Sequence, residues 1–325
     1  MAPRDASGVR APTGLAELCR ALGTLAEPPT EAHARLAELL ELPPPADASE
    51  HTTLFLLNLY PYASVHLGPD GMLGGEARDR VAGFWRAVGL TPPAEPDHLG
   101  ALLGLLAALE EREDDAPGEA ERALVAQARS ALLREHLLPW VPAFLARVEE
   151  LGGTFHEAWA RLLREALAEE ARREDGREAP VAPLPLHLRE AEHLPDPRIG
   201  DESAGEAFLR ALLAPVRSGM ILARHDLARA GRELGLGVRM GERAYVLRAL
   251  LAQDAPRTLA WLAGEARRQE AVLRSLPNDA EITAFWQDRA HAAAALLDEL
   301  ASTEADRCWT PSEATPHPPT ETPHA

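Results

Sequence analysis

The chain has 325 residues, which is long enough for one large domain or two medium ones. Its 46% hydrophobic residues exclude a largely disordered protein, and its formal net charge of −18 disfavours binding to nucleic acid or to an anionic membrane surface. All 33 basic residues are arginine, which excludes lysine-dependent chemistry, and two cysteines are too few for a disulfide-rich secreted scaffold.

The sequence has no segment typical of secretion or of membrane insertion. Residues 1–12 lack an apolar run of signal-peptide length, and no stretch reaches the ~20 uninterrupted apolar residues that cross a bilayer. We therefore expect a cytoplasmic protein without stable membrane insertion, and we expect residues 1–12 to be disordered.

Apolar residues recur at helical spacing along most of the chain, whereas β-branched and aromatic residues are few. The pattern begins at Leu15 to Leu25 and continues at His33 to Leu42, where prolines stop it. A third helix is predicted at Glu76 to Val88. Asp97 is a short acidic residue ahead of the next apolar run, so we predict it as the N-cap of a helix through Leu109.

Two further helices are predicted at Glu119 to Leu138 and from Thr154 to about Arg173. Between them, Pro139 and Pro142 predict a bend or restart of the backbone. No convincing strand appears, so the sequence predicts an all-α fold: a helical bundle followed by an additional helical region.

The domain organisation follows from changes in composition. Residues 13–173 are predicted as a helical domain. Residues 174–202 are rich in proline and charge, and are predicted as a linker or an extended wrap. Residues 203–301 are predicted as a C-terminal helical region of four or five segments, and residues 302–325 as a disordered tail.

The first candidate site is the segment Glu95 to Leu99, which contains Pro96, Asp97 and His98. One interpretation is a helix cap followed by a surface histidine. The other is a polar anchor at the mouth of a binding groove.

Two aromatic clusters accompany this segment. In Glu135 to Phe144, two prolines fix a rigid bend around Trp140. The spacing is compatible both with core packing and with a binding surface for His136 and Trp140. The other cluster runs from Tyr60 to Ser64, with Trp85 downstream, and aromatic rings with polar tips suit a binding groove as well as a core.

Signals of an enzyme are weak. The chain has no His-Glu-x-x-His or Gly-x-Ser-x-Gly motif and no dinucleotide-binding glycine motif. A hydrolase that uses His98 or His136 as a general base is the least favoured hypothesis, because neither histidine has a nucleophile or metal set at a recognisable spacing. We predict no catalytic residue, no metal site and no cofactor.

Three segments, taken in order, resemble the motifs of the TorD/DmsD-type chaperones, which mature molybdenum oxidoreductases. Residues Pro61 to Leu67 (PYASVHL) resemble the family's Pro-x-x-Ser-x-Tyr segment, with His66 where a tyrosine is common. Residues Glu95 to Leu99 (EPDHL) resemble its Pro-Asp-His signature, and Glu135 to Phe144 its His-Leu-x-x-Trp-x-Pro-x-Phe segment. The resemblance covers roughly Leu15 to Arg173.

The resemblance implies a TorD-like helical bundle and a function without covalent chemistry. Such chaperones bind the twin-arginine signal peptide or the apo-form of a molybdopterin oxidoreductase until its cofactor is inserted, before export or assembly. The peptide site that it implies contains Asp97 and His98, and the candidate neighbours are Glu95, Pro96, Tyr62, Ser64, Trp85, His136 and Trp140. An acidic chain would also attract a basic peptide.

An alternative hypothesis is a helical scaffold or adaptor that binds a folded partner through its C-terminal lobe. The proline-rich joint and residues 203–301, which lie outside the resemblance, motivate it. This region could also serve as a dimerisation element, so a homodimer is possible.

Overall fold

The computed structural model describes residues 14–175, 184–200, 203–239, 241–276 and 279–303. Within these ranges the chain forms helices and one isolated antiparallel bridge, with no β-strand, which confirms the predicted all-α fold. The predicted disordered segment 1–12 lies outside the described residues. So does the predicted tail, except for the end of the last helix and the residue after it.

The first part of the chain is a bundle of helices joined by short connections. Their bounds are α1 (Gly14–Thr24), α2 (Glu31–Leu39), α3 (Ala48–His51), α4 (Ala63–Leu67), α5 (Gly75–Ala87), α6 (Leu99–Asp115), α7 (Glu119–Leu132), α8 (Val141–Leu151) and α9 (Thr154–Asp175). A π-helical turn extends α3 over Thr52–Leu56, and another extends α7 over Leu133–Leu137.

The second part of the chain is also helical. It contains α10 (Leu186–Arg189), α11 (Ala204–Leu212), α12 (Pro215–Ser218), α13 (Arg224–Leu234), α14 (Arg243–Gln253), α15 (Ala255–Ser275) and α16 (Ala280–Ser302). The described part of residues 203–301 therefore has six helices rather than four or five. The difference arises because α12 is a single turn, too short to show a helical period.

Helix α6 lies at the centre of the bundle. Its leucines are buried on more than one face, as expected for a helix surrounded by others. Helix α1 packs closely along it at Gly23 and Gly100. A Cβ atom placed on Gly100 would lie 2.9 Å from the carbonyl oxygen of Gly23, so this close approach requires glycine.

The start of α6 differs from the prediction. The helix begins at Leu99, and its N-cap is His98, whose Nδ1 accepts a hydrogen bond from the N–H of Gly100. The prediction that Asp97 caps this helix is wrong. The Asp97 carboxylate is instead directed at α4, where its Oδ2 accepts the N–H of Ser64.

Two apolar cores support the molecule. The first lies in the N-terminal bundle but also contains Val216, Ile221 and Trp286 from the C-terminal region. The Trp286 indole N–H donates to the carbonyl of Pro139 at 2.7 Å. The second core is built from α11 and α13 to α16. The first core thus draws residues from both sides of the predicted domain boundary, and the division into domains stays a prediction.

Residues 184–200 belong to the predicted linker. Leu188, in α10, is fully buried in the first core. Beyond it, the carbonyls of Ala191 and Glu192 accept hydrogen bonds from the guanidinium of Arg289 in α16. This described part of the segment is thereby held against the C-terminal helices. The rest of the predicted linker, residues 176–183 and 201–202, lies outside the described residues.

A buried cluster of charges connects α8 to α13 and α15. Arg147 donates to both carboxylate oxygens of Asp226, at 2.6 and 2.7 Å, and Asp226 is fully buried. Glu265 accepts from Arg229 at 2.7 Å. Burial by itself raises the pKa of Glu265, but hydrogen bonds from Arg268 and Arg229 outweigh it and lower the pKa to about 2. Glu265 is therefore paired and charged at neutral pH.

Candidate functional site

Two of the predicted site segments are paired with each other. The N–H of Leu99 donates to the carbonyl of Pro61 at 2.8 Å, and the N–H of Ala63 donates to the carbonyl of Asp97 at 3.0 Å. Together these bonds form an antiparallel bridge. The segments at residues 61–64 and 95–99, distant in sequence, are therefore one structural unit.

Hydrogen bonds of the Asp97 and Ser64 side chains stabilise this unit. Asp97 is only 2% exposed, and its Oδ2 accepts the N–H of Ser64 at 3.0 Å. The Ser64 Oγ in turn accepts the N–H of Gly74 at 3.1 Å, which fixes the loop that follows α4. Asp97 thus supplies the acceptor for an orphan N–H in the first turn of α4.

Tyr62 and His98 face each other across the bridge. Their rings meet edge to face with centroids 4.9 Å apart. The Tyr62 hydroxyl donates to Oε2 of Glu95 at 2.8 Å, and Glu95 is exposed. Burial and the bond to Glu95 raise the pKa of Tyr62, so its hydroxyl stays protonated and continues to orient the carboxylate.

A second carboxylate lies on the other side of His98. Oε1 of Glu27, which follows α1, is 3.0 Å from His98 Nδ1, and the Glu27 side chain is 51% exposed. A protonated Nδ1 donates to Glu27, whereas an unprotonated Nδ1 accepts the N–H of Gly100. The hydrogen bond with His98 lowers the pKa of Glu27 against the opposing effect of burial. The site therefore presents two carboxylates.

Trp85 connects helix α5 to this site. This half-buried ring, on α5, donates its indole N–H to the carbonyl of Pro96 at 3.3 Å. Pro96 itself is buried. The bond ties α5 to the segment that carries Glu95, so Trp85 and Pro96 belong to the same unit as the two carboxylates.

His136 and Trp140 lie behind the surface. Trp140 is fully buried, and its indole N–H donates to the carbonyl of His136 at 2.8 Å. The ring of His136 packs on Phe84 with centroids 4.8 Å apart. Burial, with a smaller contribution from the charge of Arg80, lowers the pKa of His136 to about 4 and keeps its ring neutral. Both side chains support the site from the core and do not line its surface.

Exposed apolar side chains lie on the loop that Ser64 fixes. Met72 is 69% exposed and Leu73 is 56% exposed, and both precede Gly74 directly. The loop approaches the C-terminal region at Gly71, where a Cβ would lie 2.6 Å from the carbonyl oxygen of Leu213. The loop with these exposed apolar side chains is thus connected to Asp97 through Ser64.

Neither metal binding nor membrane crossing is indicated by the described helices and loops. Within these residues, no three histidine, cysteine or acidic side chains come together as a metal site would require. None of the helices described above is both long enough and apolar enough to cross a bilayer.

Comparison with known proteins shows what the N-terminal part of the chain is similar to. Residues 12–146 match the model of the family described as the nitrate reductase delta subunit, and this range contains all three motif segments. A stretch of 98 residues is 34% identical to the protein named Chaperone protein TorD of Vibrio vulnificus, in strains YJ016 and CMCP6. Residues 12–146 are therefore similar to this family, and part of that range is similar to a TorD chaperone. The aligned stretch covers 28% of this chain and 44% of each relative, so it spans less than half of those relatives' length.

The N-terminal bundle brings together seven of the nine residues predicted from sequence, whereas His136 and Trp140 lie in the core beneath them. Sequence reasoning missed Glu27. No local signal marks it, because its position depends on the packing of α1 against α6 at Gly23 and Gly100.

Proposed function

We propose that this protein is a chaperone for the maturation of a molybdopterin oxidoreductase. In this proposal it binds the twin-arginine signal peptide or the apo-form of its client and assists cofactor insertion before export or assembly. One observation carries the proposal: Glu27 and Glu95 flank Tyr62 and His98 at the bridge between two motif segments within residues 12–146, which match the family.

The two carboxylates are chemically suited to a pair of arginines. A guanidinium donates two parallel hydrogen bonds to one carboxylate, and such charge-assisted bonds are stronger than neutral ones. Glu27 and Glu95 are both accessible, Glu95 is oriented by the Tyr62 hydroxyl, and Glu27 lies 3.0 Å from His98 Nδ1. The net charge of −18 would also speed the approach of a basic peptide.

A signal peptide also has an apolar segment, which needs a surface of its own. Met72 and Leu73 supply exposed apolar area on the loop that is bonded to Ser64. An apolar helix docking on such a surface is a common mode of peptide recognition. In this proposal the arginines meet the carboxylates while the apolar segment extends over this loop.

Asp97 has a positioning role in this proposal, because its carboxylate is buried and already bonded to the N–H of Ser64. His98 is also buried, and its Nδ1 orients Glu27 when it carries a proton. Peptide binding can therefore depend on Asp97 and His98 although neither side chain contacts the peptide.

The test is calorimetric titration of the full chain with three synthetic signal peptides that differ only at the paired basic positions. We expect the Arg-Arg peptide to bind most tightly, the Lys-Lys peptide more weakly and the Ala-Ala peptide weakest, because only guanidinium can form the bidentate bond. Equal binding of all three peptides would refute the twin-arginine part of the proposal.

The titration uses the full chain because truncation would disrupt the first apolar core. Deleting residues 174–325 would remove Val216, Ile221 and Trp286 from the first core. The scaffold alternative therefore needs point variants on the surface of the C-terminal region. A cytoplasmic location is part of the proposal, and a homodimer stays a prediction.

A further inference from the structure

A separate cavity lies in the C-terminal region, where residues 193–196 cross α12 and α16. Its volume is about 230 Å³. Its basic lining comes from His193, Arg217 and Arg289. Its apolar lining comes from Leu194, Ala292, Ala293 and Leu296. The cavity lies outside residues 12–146, which match the family, so nothing in the proposed peptide site accounts for it.

Arg289 is a buried cation, and its guanidinium is fixed by contacts with two carbonyls and one aromatic ring. It is 5% exposed, its guanidinium lies 4.9 Å from the ring centroid of Phe285, and it donates to the carbonyls of Ala191 and Glu192. Within the described residues no carboxylate pairs with it. Burial lowers the pKa of Arg289, and the nearby charge of Arg217 lowers it further. This buried charge therefore lacks an acidic counter-ion.

Arg217 adds a second cation. Its Nη2 donates to Oε2 of Glu192 at 2.7 Å, but the Glu192 side chain is 78% exposed and therefore well solvated. The Nε of Arg217 is buried and has no hydrogen-bond partner among the described residues. Asp196 also lines the cavity, but its carboxylate is engaged by Arg198 through the backbone N–H, Nε and Nη2.

We propose that this cavity binds a small phosphorylated ligand, with its phosphate group between Arg217 and Arg289 and its organic part against Leu194 and Leu296. Burying the Arg289 cation without an acidic counter-ion is unfavourable, and a dianion between Arg289 and Arg217 removes that cost. The only carboxylate that pairs with Arg217 among the described residues is the exposed Glu192. Guanidinium groups match phosphate geometry through paired N–H donors.

Inorganic phosphate and a phosphomonoester can both bind the two arginines. The apolar lining predicts a difference in their affinities. Because Leu194, Ala292, Ala293 and Leu296 offer surface that inorganic phosphate cannot use, a phosphomonoester with a compact apolar group should bind more tightly. Phenyl phosphate is a suitable probe of this kind, and benzoate is its carboxylate counterpart.

The test is calorimetric titration of the full chain with sodium phosphate, phenyl phosphate and benzoate at constant ionic strength. We expect saturable binding of phenyl phosphate, weaker binding of phosphate and the weakest binding of benzoate. Arg217→Gln should weaken phenyl phosphate binding about tenfold or more, as expected for the loss of a charge-assisted bond. The control Arg274→Gln, on an exposed residue of α15, should leave binding unchanged.

Arg289 also fastens residues 191–192, so Arg289→Gln is a secondary variant whose melting temperature must be measured beside its affinity. The absence of saturable phenyl phosphate binding would overturn the proposal. Unchanged affinity in Arg217→Gln, or benzoate binding as tight as phenyl phosphate, would overturn it as well. The Arg-Arg peptide titration on the same variants is independent, so failure of one proposal is distinguishable from failure of the other.

Discussion

His66 stacks flat against Trp140, with ring centroids 4.9 Å apart and ring planes 13° apart. This contact joins the segment at residues 61–67 to the segment at residues 135–144 inside the core. His66 Nε2 lies 2.9 Å from the carbonyl oxygen of Tyr60, whereas its Nδ1 is buried and has no hydrogen-bond partner in the described structure. Burial lowers the pKa of His66 to about 4, so the stacked ring is neutral.

His66→Phe should make stability less dependent on pH. Because the folded pKa of His66 lies below the usual ~6.5, the unfolded chain takes up the proton first, and stability falls as pH drops below that value. Between pH 7 and pH 5 the wild type should lose about 2 kcal/mol of unfolding free energy more than the variant. Urea unfolding at both pH values measures this, and parallel pH profiles would contradict it.

Asp97→Ala should destabilise the fold by about 1–3 kcal/mol, because it leaves the buried N–H of Ser64 without an acceptor. Asp97→Asn is the matched control, since its side-chain oxygen can still accept that N–H. The variants are compared by urea unfolding and by Arg-Arg peptide titration. If alanine and asparagine had the same stability, the bond between Asp97 and Ser64 would have no structural role.

Gly100→Ala and Gly104→Ala should have opposite effects although both lie in α6. A Cβ on Gly100 would meet the carbonyl oxygen of Gly23 and Oε1 of Glu27, both at 2.9 Å, so we expect a loss of about 1–3 kcal/mol. A Cβ on Gly104 meets nothing within 4 Å, so the higher helix propensity of alanine should add about 0.5–1 kcal/mol. Thermal unfolding of both variants distinguishes these outcomes, and a stabilising Gly100→Ala would contradict the described packing.

Glu27→Gln and Glu95→Gln should each weaken binding of an Arg-Arg peptide about tenfold, because each removes one charge-assisted partner of a guanidinium. Glu38→Gln is the control: it makes the same change of charge on an exposed residue of α2. Calorimetry measures all three. A loss of affinity as large in Glu38→Gln would assign the effect to overall charge and not to the site.

The sequence was informative where structure depends on local pattern. The leucine periodicity predicted helices at positions close to those observed, because burying one apolar face is a property of the segment itself. The cap at Asp97 was mispredicted because the same short acidic residue can accept an N–H from its own helix or from another segment. Pairing with residues 61–64 decides between these choices, and that pairing is tertiary.

The candidate site was predictable only in part for the same reason. Tyr62 and Glu95 lie in recognisable motifs, but their hydrogen bond and the proximity of Glu27 arise from the packing of separate helices. The proline-flanked Trp140 suited a surface or a core equally well. Its complete burial and its stack on His66 arise from packing against other segments, which no spacing within its own segment encodes.

The Trp286 bond to Pro139, with the buried pairing of Arg147 and Asp226, ties the two parts of the chain into a common interior. Strain placed on either part is therefore transmitted to the other, and we expect the molecule to melt in one concerted step. A ligand bound to the N-terminal helices would therefore also stabilise the helices of the C-terminal region.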